Sequence, residues 1–128
     1  DIGKTDWAYK YFLKTAKLDL EAKYKVYVGT IFMGGSHPAA NGGAWMTTVF
    51  GFGGLRTNAE GVKITPGLYK KWKSLQFNIY YKGDKFSVAI TPGRVYVTAA
   101  PGNSVGHLFS IGGSDHLCMP GSELNVSY

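Results

Sequence analysis

The feature that most limits the folds open to this chain is an apolar segment, AWMTTVFGF at residues 44–52, which contains no charged side chain. Glycine pairs precede and follow it, at residues 42–43 and 53–54. A helix that is apolar on every side needs neighbours on every side, and glycines allow close packing and a sharp end. We therefore expect a short buried helix from Ala44 to about Phe52.

A second helix is predicted in the first 22 residues. Its apolar side chains, among them Trp7, Tyr11 and Phe12, recur mostly at three- and four-residue intervals with lysines between them. Residues 24–33 are rich in β-branched and aromatic side chains, which suit a strand or an extended connection. Two helices with apolar faces cannot bury those faces by themselves, so we expect their covering surface to lie outside this chain.

After residue 57 the pattern changes to short alternating runs separated by Gly, Pro, Asn and Asp. In the run at residues 75–81, alternate side chains share one face of a predicted strand. The KGDK sequence at residues 82–85 predicts a hairpin from about 75 to 90, and TPGR at 91–94 turns the chain again. We therefore expect an antiparallel sheet that packs into a sandwich, and an α+β fold class for the whole chain.

Composition and charge narrow the class of protein. The chain has 128 residues, a formal net charge of +6 and a pI of about 9.4. Its first lysines are spread around the predicted helix like those of a solvated face, and no nucleic-acid-binding motif accompanies them. We therefore expect no nucleic-acid partner. The sequence shows no membrane-spanning run and no signal-like start, so no membrane partner is expected either.

A few residues carry individual expectations. Cys118, the single cysteine, is expected to be a buried thiol, with pairing to another chain as the alternative. The histidines lack metal-ligand spacing, so no metal is expected. Asn125 begins an Asn-Val-Ser glycosylation pattern, which weakly favours a secreted or lysosomal or vacuolar location.

Three motifs, in order, resemble the C-terminal part of glycoside hydrolase family 65. They are AYKYFLKTAKLDLE, then GGSHPAANGGAWMTTVFGFGGLR, then ITPGLYKKWKSLQFNIYYKGDKFSVAI, and together they cover roughly residues 7–100. The family comprises maltose, trehalose and kojibiose phosphorylases, acid trehalases and related α-glucosidases. The resemblance implies that residues 1–57 supply the last helices and a loop of a catalytic (α/α)6 barrel, and that residues 58–128 form a C-terminal β-sandwich.

The resemblance also implies a site around His37. The phosphorylases of the family carry a Gly-x-His-x-Ala pattern, followed by Gly-Gly and Trp, in a loop beside the bound phosphate. By this match the substrate- or phosphate-binding residues are Ser36, His37, Gly42 and Gly43. Glycine amides at a helix start, together with an imidazole, suit an anion. The alternative is that His37 only ties the loop down through hydrogen bonds.

The sequence around His37 bears on whether the reaction is hydrolysis, as in the acid trehalases, or phosphorolysis. Pro38 directly after the histidine is similar to acid trehalases, and Ala40 stands where the phosphorylases more often have Ser. The loss of that hydroxyl from a phosphate cradle favours hydrolysis slightly over phosphorolysis. Inorganic phosphate is the co-substrate if the enzyme is a phosphorylase, and no other cofactor is expected.

No carboxylate of this chain matches the catalytic positions of the family. An inverting cleavage of an α-glucoside needs a general acid, and hydrolysis needs a second carboxylate. We therefore expect a C-terminal subunit or fragment of an inverting enzyme for trehalose-, kojibiose- or maltose-type substrates, completed by a larger polypeptide that carries the rest of the barrel and the acid. The alternative is a non-catalytic carbohydrate-binding protein that stacks sugars on Trp72, Tyr80 and Tyr81, or a structural or storage protein derived from the family.

Overall fold

The computed structural model describes residues 3–17, 20, 21, 26–28, 31–33 and 37–128. The chain divides into two compact units, residues 1–48 and residues 49–128. This division lies before the predicted boundary at residues 57 and 58. The reason is that Leu55–Thr57 is not part of a helical piece but forms a strand, which pairs with Val62–Ile64.

The first unit contains two helices and a small two-stranded sheet. Helix α1 spans Thr5–Ala16, and strands β1 (Val26–Val28) and β2 (Ile31–Met33) pair antiparallel. Helix α2 spans Pro38–Met46, and α1 and α2 contact each other. The helix predicted in the first 22 residues is confirmed for Thr5–Ala16 but ends earlier, and residues 18, 19 and 22 lie outside the described residues.

The predicted start of the apolar helix is wrong, because α2 begins at Pro38 and not at Ala44. Proline is well suited to the first helical position, since its ring fixes φ near the helical value and its missing N–H has no acceptor there. After Met46 the chain continues as a π-helix, Thr47–Phe52. The hydroxyl of Thr47 donates to the Gly43 carbonyl at 2.8 Å, and such bonds to the preceding turn bend helices.

The second unit is built from two four-stranded sheets. One has the strand order β10-β7-β6-β5 and the other β3-β4-β8-β9. The strands are β3 (Leu55–Thr57), β4 (Val62–Ile64), β5 (Leu75–Tyr81), β6 (Asp84–Thr91), β7 (Arg94–Ala99), β8 (His107–Ile111), β9 (Ser114–Cys118) and β10 (Glu123–Ser127).

The predicted sandwich is not antiparallel throughout. Strands β4 and β8 pair in parallel, with Val62 opposite Phe109. The three strands between them in sequence, β5 to β7, belong to the other sheet. The chain then returns to the sheet of β4 as β8, which runs in the same direction as β4. The remaining pairs of both sheets are antiparallel, and the predicted hairpin is confirmed as β5 and β6.

The core of the second unit lies between its two sheets. Alternate residues of each strand point inwards, as in β6, where Phe86, Val88 and Ile90 are all at most 1% exposed. Phe109 and Ile111 of β8 join the same cluster from the other sheet, and Val49 of the π-helix joins it as well. The buried faces therefore share a single hydrophobic core.

Two glycines make the local geometry possible. Gly83 has φ of 89° in the turn between β5 and β6, where Lys82 also has a positive φ of 51°. Two successive positive φ values define the tight turn that matches the twist of a hairpin. Gly54, with φ of 66°, follows the π-helix, and a Cβ there would overlap the carbonyl oxygen of Thr65. The glycines after the apolar segment therefore end it, as predicted.

Candidate functional site

His37 lies at the N-terminus of α2. Its backbone carbonyl accepts a hydrogen bond from the Asn41 amide at 3.0 Å, and Pro38 follows as the first helical residue. The imidazole is half-buried. The residue thus precedes the positive end of the helix dipole, where the amides of the first turn favour an anion. Ser36, the neighbouring predicted ligand, lies outside the described residues.

Gly42 and Gly43 do not form the predicted glycine loop, because both lie inside α2. Their amides belong to the hydrogen-bond ladder of the helix, so they are not available to an anion. The amides of Ala39 and Ala40 are available to an anion instead, because the first N–H groups of a helix have no acceptor within it. A Cβ added at Gly42 or Gly43 would meet nothing within 4 Å among the described residues, so the glycines leave a smooth exposed surface on α2.

The two helices of the first unit expose apolar side chains. Among the described residues of α1 and α2, none is buried. Trp45 and Met46 of α2 are 53% and 54% exposed, and Trp7 and Tyr11 of α1 are 65% and 58% exposed. The two ends of the apolar segment thus differ. Val49 and Phe52 near its end are buried, whereas Trp45 and Met46 near its start are exposed.

The three aromatic residues predicted to stack on sugars have different environments. The Trp72 ring packs against Phe52, with 4.9 Å between ring centroids, and against Tyr69 at 6.4 Å. Tyr81 is only 7% exposed, and its hydroxyl donates to the Asn58 carbonyl at 2.8 Å. Its ring therefore has no face to offer a ligand without disturbing the core. Tyr80 is 73% exposed on the opposite face of β5.

A buried acid and imidazole pair lies at one end of the sandwich. Asp84 and His107 are 6% and 7% exposed, and His107 Nε2 lies 2.7 Å from Asp84 Oδ2. The Ser104 amide donates to Asp84 Oδ1 at 2.8 Å, and the Ser104 hydroxyl donates to both carboxylate oxygens. Because β6 and β8 belong to different sheets, this cluster connects the two sheets.

These contacts hold Asp84 in its ionised form. The backbone amide of Ser104 and then the His107 side chain lower the pKa of Asp84 to about 2, against the opposing effect of burial. The edges of Tyr81 and Phe86 enclose the imidazole, with ring centroids 5.1 and 5.6 Å from its own. The pair is enclosed by the core and holds the sheets together, so we assign it a structural role.

The sequence analysis did not identify this pair. Asp84 follows a tight turn, which is where solvated aspartates are common. The alternation of β6 was the available signal, because Asp84 shares its face with Phe86 and Val88. The burial of Asp84 thus follows from the register of its strand.

The remaining predicted residues lie in the second unit. Cys118 is fully buried as a free thiol, as expected. Asn125 is exposed on β10, and its side-chain oxygen accepts a hydrogen bond from Arg94 at 2.7 Å. In the part of the chain that the structure describes, no cluster of three or more His, Cys, Asp or Glu residues could hold a metal ion. Within that part, no helix is long and apolar enough to cross a membrane.

Comparisons with known proteins agree with this architecture. Residues 55–112 match the profile of the family described as "Glycosyl hydrolase family 65, C-terminal domain". A solved structure assigned as a kojibiose phosphorylase from the human microbiome matches 98% of this chain with a TM-score of 0.75 and 22% sequence identity, and the match covers 15% of that protein. At this identity the likeness shows the fold, which comprises short helices and a β-sandwich.

Relatives with closer sequences are phosphorylases by name. The nigerose phosphorylase of Lachnoclostridium phytofermentans is 37% identical over 72% of this chain, and the alpha,alpha-trehalose phosphorylase of Thermoanaerobacter brockii is 39% identical over 82%. The chain spans 12% of the length of the first and 13% of the second. With the family match and the order of the three motifs, they show that the chain belongs to glycoside hydrolase family 65 and corresponds to the C-terminal portion of its proteins.

Proposed function

We propose that this chain is the C-terminal part of an inverting enzyme that cleaves an α-linked glucose disaccharide with inorganic phosphate. The observation that carries the proposal is the exposure of α2, whose described residues include none that is buried although the helix is largely apolar. A helix of this kind is stable only when other elements cover it. We assign that cover, and the general acid, to barrel helices formed by polypeptide outside this sequence.

His37 and the start of α2 have a defined role in this reaction. Phosphate must approach the anomeric carbon with its charge partly neutralised. The first-turn amides of Ala39 and Ala40 and the imidazole of His37 are donors at the positive end of α2. A phosphate oxygen forms the new bond to the anomeric carbon from the side opposite the leaving group. The glycosidic oxygen departs with a proton from the general acid, and the product is β-glucose 1-phosphate.

The choice of phosphorolysis rests on the relatives and not on the loop alone. The sequence at Pro38 and Ala40 favoured hydrolysis, but the relatives described above carry phosphorylase names. The start of α2 also weakens the argument from Ala40. Its backbone amide lies in the first turn, where it can donate to an anion without a hydroxyl.

Product analysis with and without phosphate tests the proposal. The protein that contains this sequence, purified with the polypeptide that completes its barrel, is incubated with nigerose, trehalose, kojibiose or maltose. We expect cleavage of one of them only when phosphate is present, with β-glucose 1-phosphate as a product. Cleavage at the same rate without phosphate, yielding only free sugars, would reverse the choice of reaction. Failure to cleave any α-glucoside would remove the proposal.

A substitution of His37 tests the role proposed for this residue. We expect His37→Ala to lower kcat/KM for phosphate by at least about tenfold, because one donor to a charged group contributes roughly 1.5–3 kcal/mol. Ser114→Ala, at an exposed position of β9, is the control and should retain full activity. Unchanged kinetics in the His37 variant would limit the residue to holding the start of α2.

A further inference from the structure

The outer face of the β10-β7-β6-β5 sheet is concave and polar. Two rows of cross-strand neighbours form it: Gln76, Ala89, Tyr96 and Asn125 in one, and Asn78, Ser87, Thr98 and Glu123 in the other. A groove of about 330 Å³ lies between them. The side chains on this face that line it are Gln76, Asn78, Ser87, Ala89, Tyr96 and Thr98.

The concavity has a simple origin in the sequence. Ala89 lies directly between Gln76 and Tyr96 in the first row, and its methyl group forms a low floor between two larger side chains. The Tyr96 ring is half-buried and forms one wall, while the polar side chains of β5 and β6 form the other. The groove therefore combines a flat apolar surface with polar groups at its sides.

Hydrogen bonds fix the polar side chains before any ligand arrives. The Ser87 hydroxyl donates to Asn78 Oδ1 at 2.7 Å, and the Arg94 guanidinium donates to Asn125 Oδ1 at 2.7 Å. A carboxamide whose oxygen accepts such a bond presents its NH2 group as a donor. The Thr98 hydroxyl donates to Glu123 at 3.1 Å, so its oxygen still offers lone pairs. The groove thus presents ordered donors and acceptors.

We propose that this groove is a non-catalytic binding site for a neutral glucose saccharide, which stacks a sugar ring on Tyr96. The six lining side chains are uncharged. Glu123 ends the second row and accepts a hydrogen bond from Thr98, and Arg94, which lies outside both rows, donates to Asn125. Hydroxyl groups of a sugar both donate and accept, which matches the alternating amides and hydroxyls. The apolar face of a pyranose ring matches the aromatic wall.

The residue types on this face favour a binding site over a surface that contacts only solvent. Asparagine is depleted in strands, yet Asn78 and Asn125 both lie within strands, on the exposed face. A volume of about 330 Å³ is at the low end for small-molecule sites, which span about 300–1,000 Å³, and suits a mono- or disaccharide. This site lies in the second unit and does not depend on the proposed barrel.

Titration of the 15N-labelled 128-residue chain with maltose tests the proposal. We expect saturable shifts of the backbone amides of Gln76, Ser87 and Tyr96 at millimolar sugar, and weaker shifts with glucose 1-phosphate because its charge has no counterpart in the groove. Tyr96→Ala should raise the dissociation constant by about two- to twelvefold, which is the loss of an aromatic contact of about 0.5–1.5 kcal/mol.

Two further variants control for position and folding. Tyr80→Ala removes an exposed tyrosine from the same face of β5 outside the groove lining, and its affinity for maltose should match that of the parent chain. Asn78→Ala, at an exposed position, tests the polar wall and should weaken binding even if Tyr96→Ala does not fold. Absence of any saturable shift, an equal loss in Tyr80→Ala, or stronger binding of glucose 1-phosphate would each overturn the proposal.

Discussion

The two units of this chain differ in where their apolar residues lie. In the second unit Phe86, Ile90 and Phe109 are completely buried between two sheets that cover each other. In the first unit the helices α1 and α2 include no buried residue among those described, and Trp7 is 65% exposed. One unit thus contains its own core, whereas the described helices of the other leave large apolar side chains exposed.

The difference shows that secondary structure and stability have separate origins in this chain. The α2 helix forms despite two glycines, each of which costs about 1 kcal/mol relative to alanine in a helix. Helices this short are marginal in water, and burial of an apolar face provides most of their stability in proteins. The sandwich needs no such help, because its eight strands pair within the unit and share one core. We therefore expect the two units to respond very differently to the same perturbation.

Amide hydrogen exchange of the 128-residue chain should show the largest difference. We expect amides in β6 and β7 to exchange at least about a thousandfold more slowly than those in α1, because their opening requires unfolding of the whole sandwich. Mass spectrometry of peptic fragments, or NMR, measures both rates in one sample. Comparable protection in α1 and β6 would mean that the first unit is stable by itself, and it would remove the need for outside cover.

Truncation of a core side chain should have the next largest effect. Phe109 is completely buried beside Phe86, with 5.0 Å between ring centroids, and we expect Phe109→Ala to lower the free energy of unfolding by about 3–5 kcal/mol. Leu108→Ala, at the adjacent position that is 45% exposed, is the matched control and should lose much less. Urea unfolding followed by tryptophan fluorescence gives both values. Equal losses would contradict the placement of the core.

The Asp84 carboxylate makes the stability of the sandwich depend on acid pH. Its pKa is lowered from 3.8 to about 2 in the folded chain, so its contribution is complete above about pH 4 and is lost as the pH falls towards 2. We expect Asp84→Asn to reduce the urea midpoint at pH 7 and to flatten its decline between pH 4 and 2. A variant whose profile parallels the parent chain throughout that range would exclude Asp84 as the source.

A milder substitution, Ser104→Ala, should reduce stability less than Asp84→Asn. Ser104→Ala removes the hydroxyl that donates to both oxygens of Asp84 but retains the Ser104 amide, whose hydrogen bond is the largest cause of the lowered pKa. Its urea midpoint should therefore fall less than that of Asp84→Asn, and most of the acid dependence should remain. A larger fall in Ser104→Ala would mean that the loss of stability comes from the segment between β7 and β8 and not from the Asp84 carboxylate.

The sequence predicted those features that depend on neighbouring residues. The hairpin of β5 and β6 follows from alternation and from a turn that contains Gly83, and both signals lie within a few residues. The burial of Cys118 follows from its apolar neighbours. The start of α2 was misjudged because glycines at 42 and 43 were interpreted as a loop, whereas Pro38 already provides a favourable first helical residue.

Features that depend on distant pairing were not predictable in this way. The parallel contact of β4 with β8 joins segments separated by three strands of the other sheet. The Asp84–His107 pair likewise joins residues 23 positions apart that belong to different sheets. Around His37 the sequence placed the helix start too late, so the amides that it selected, those of Gly42 and Gly43, lie inside the helix.

The smallest expected effect lies on α2. Trp45 is 53% exposed, and we expect Trp45→Ala to change the free energy of unfolding of the 128-residue chain by no more than about 0.5 kcal/mol, as for other exposed positions. Trp72→Ala is the matched control, because that ring packs on Phe52 and Tyr69 within the second unit and its loss should cost several times more. If barrel helices cover α2 in the longer protein, as proposed above, the same Trp45 variant should be strongly destabilising there. A loss of several kcal/mol in the 128-residue chain would instead mean that this chain covers Trp45 itself, and the contrast between the two units would then not hold.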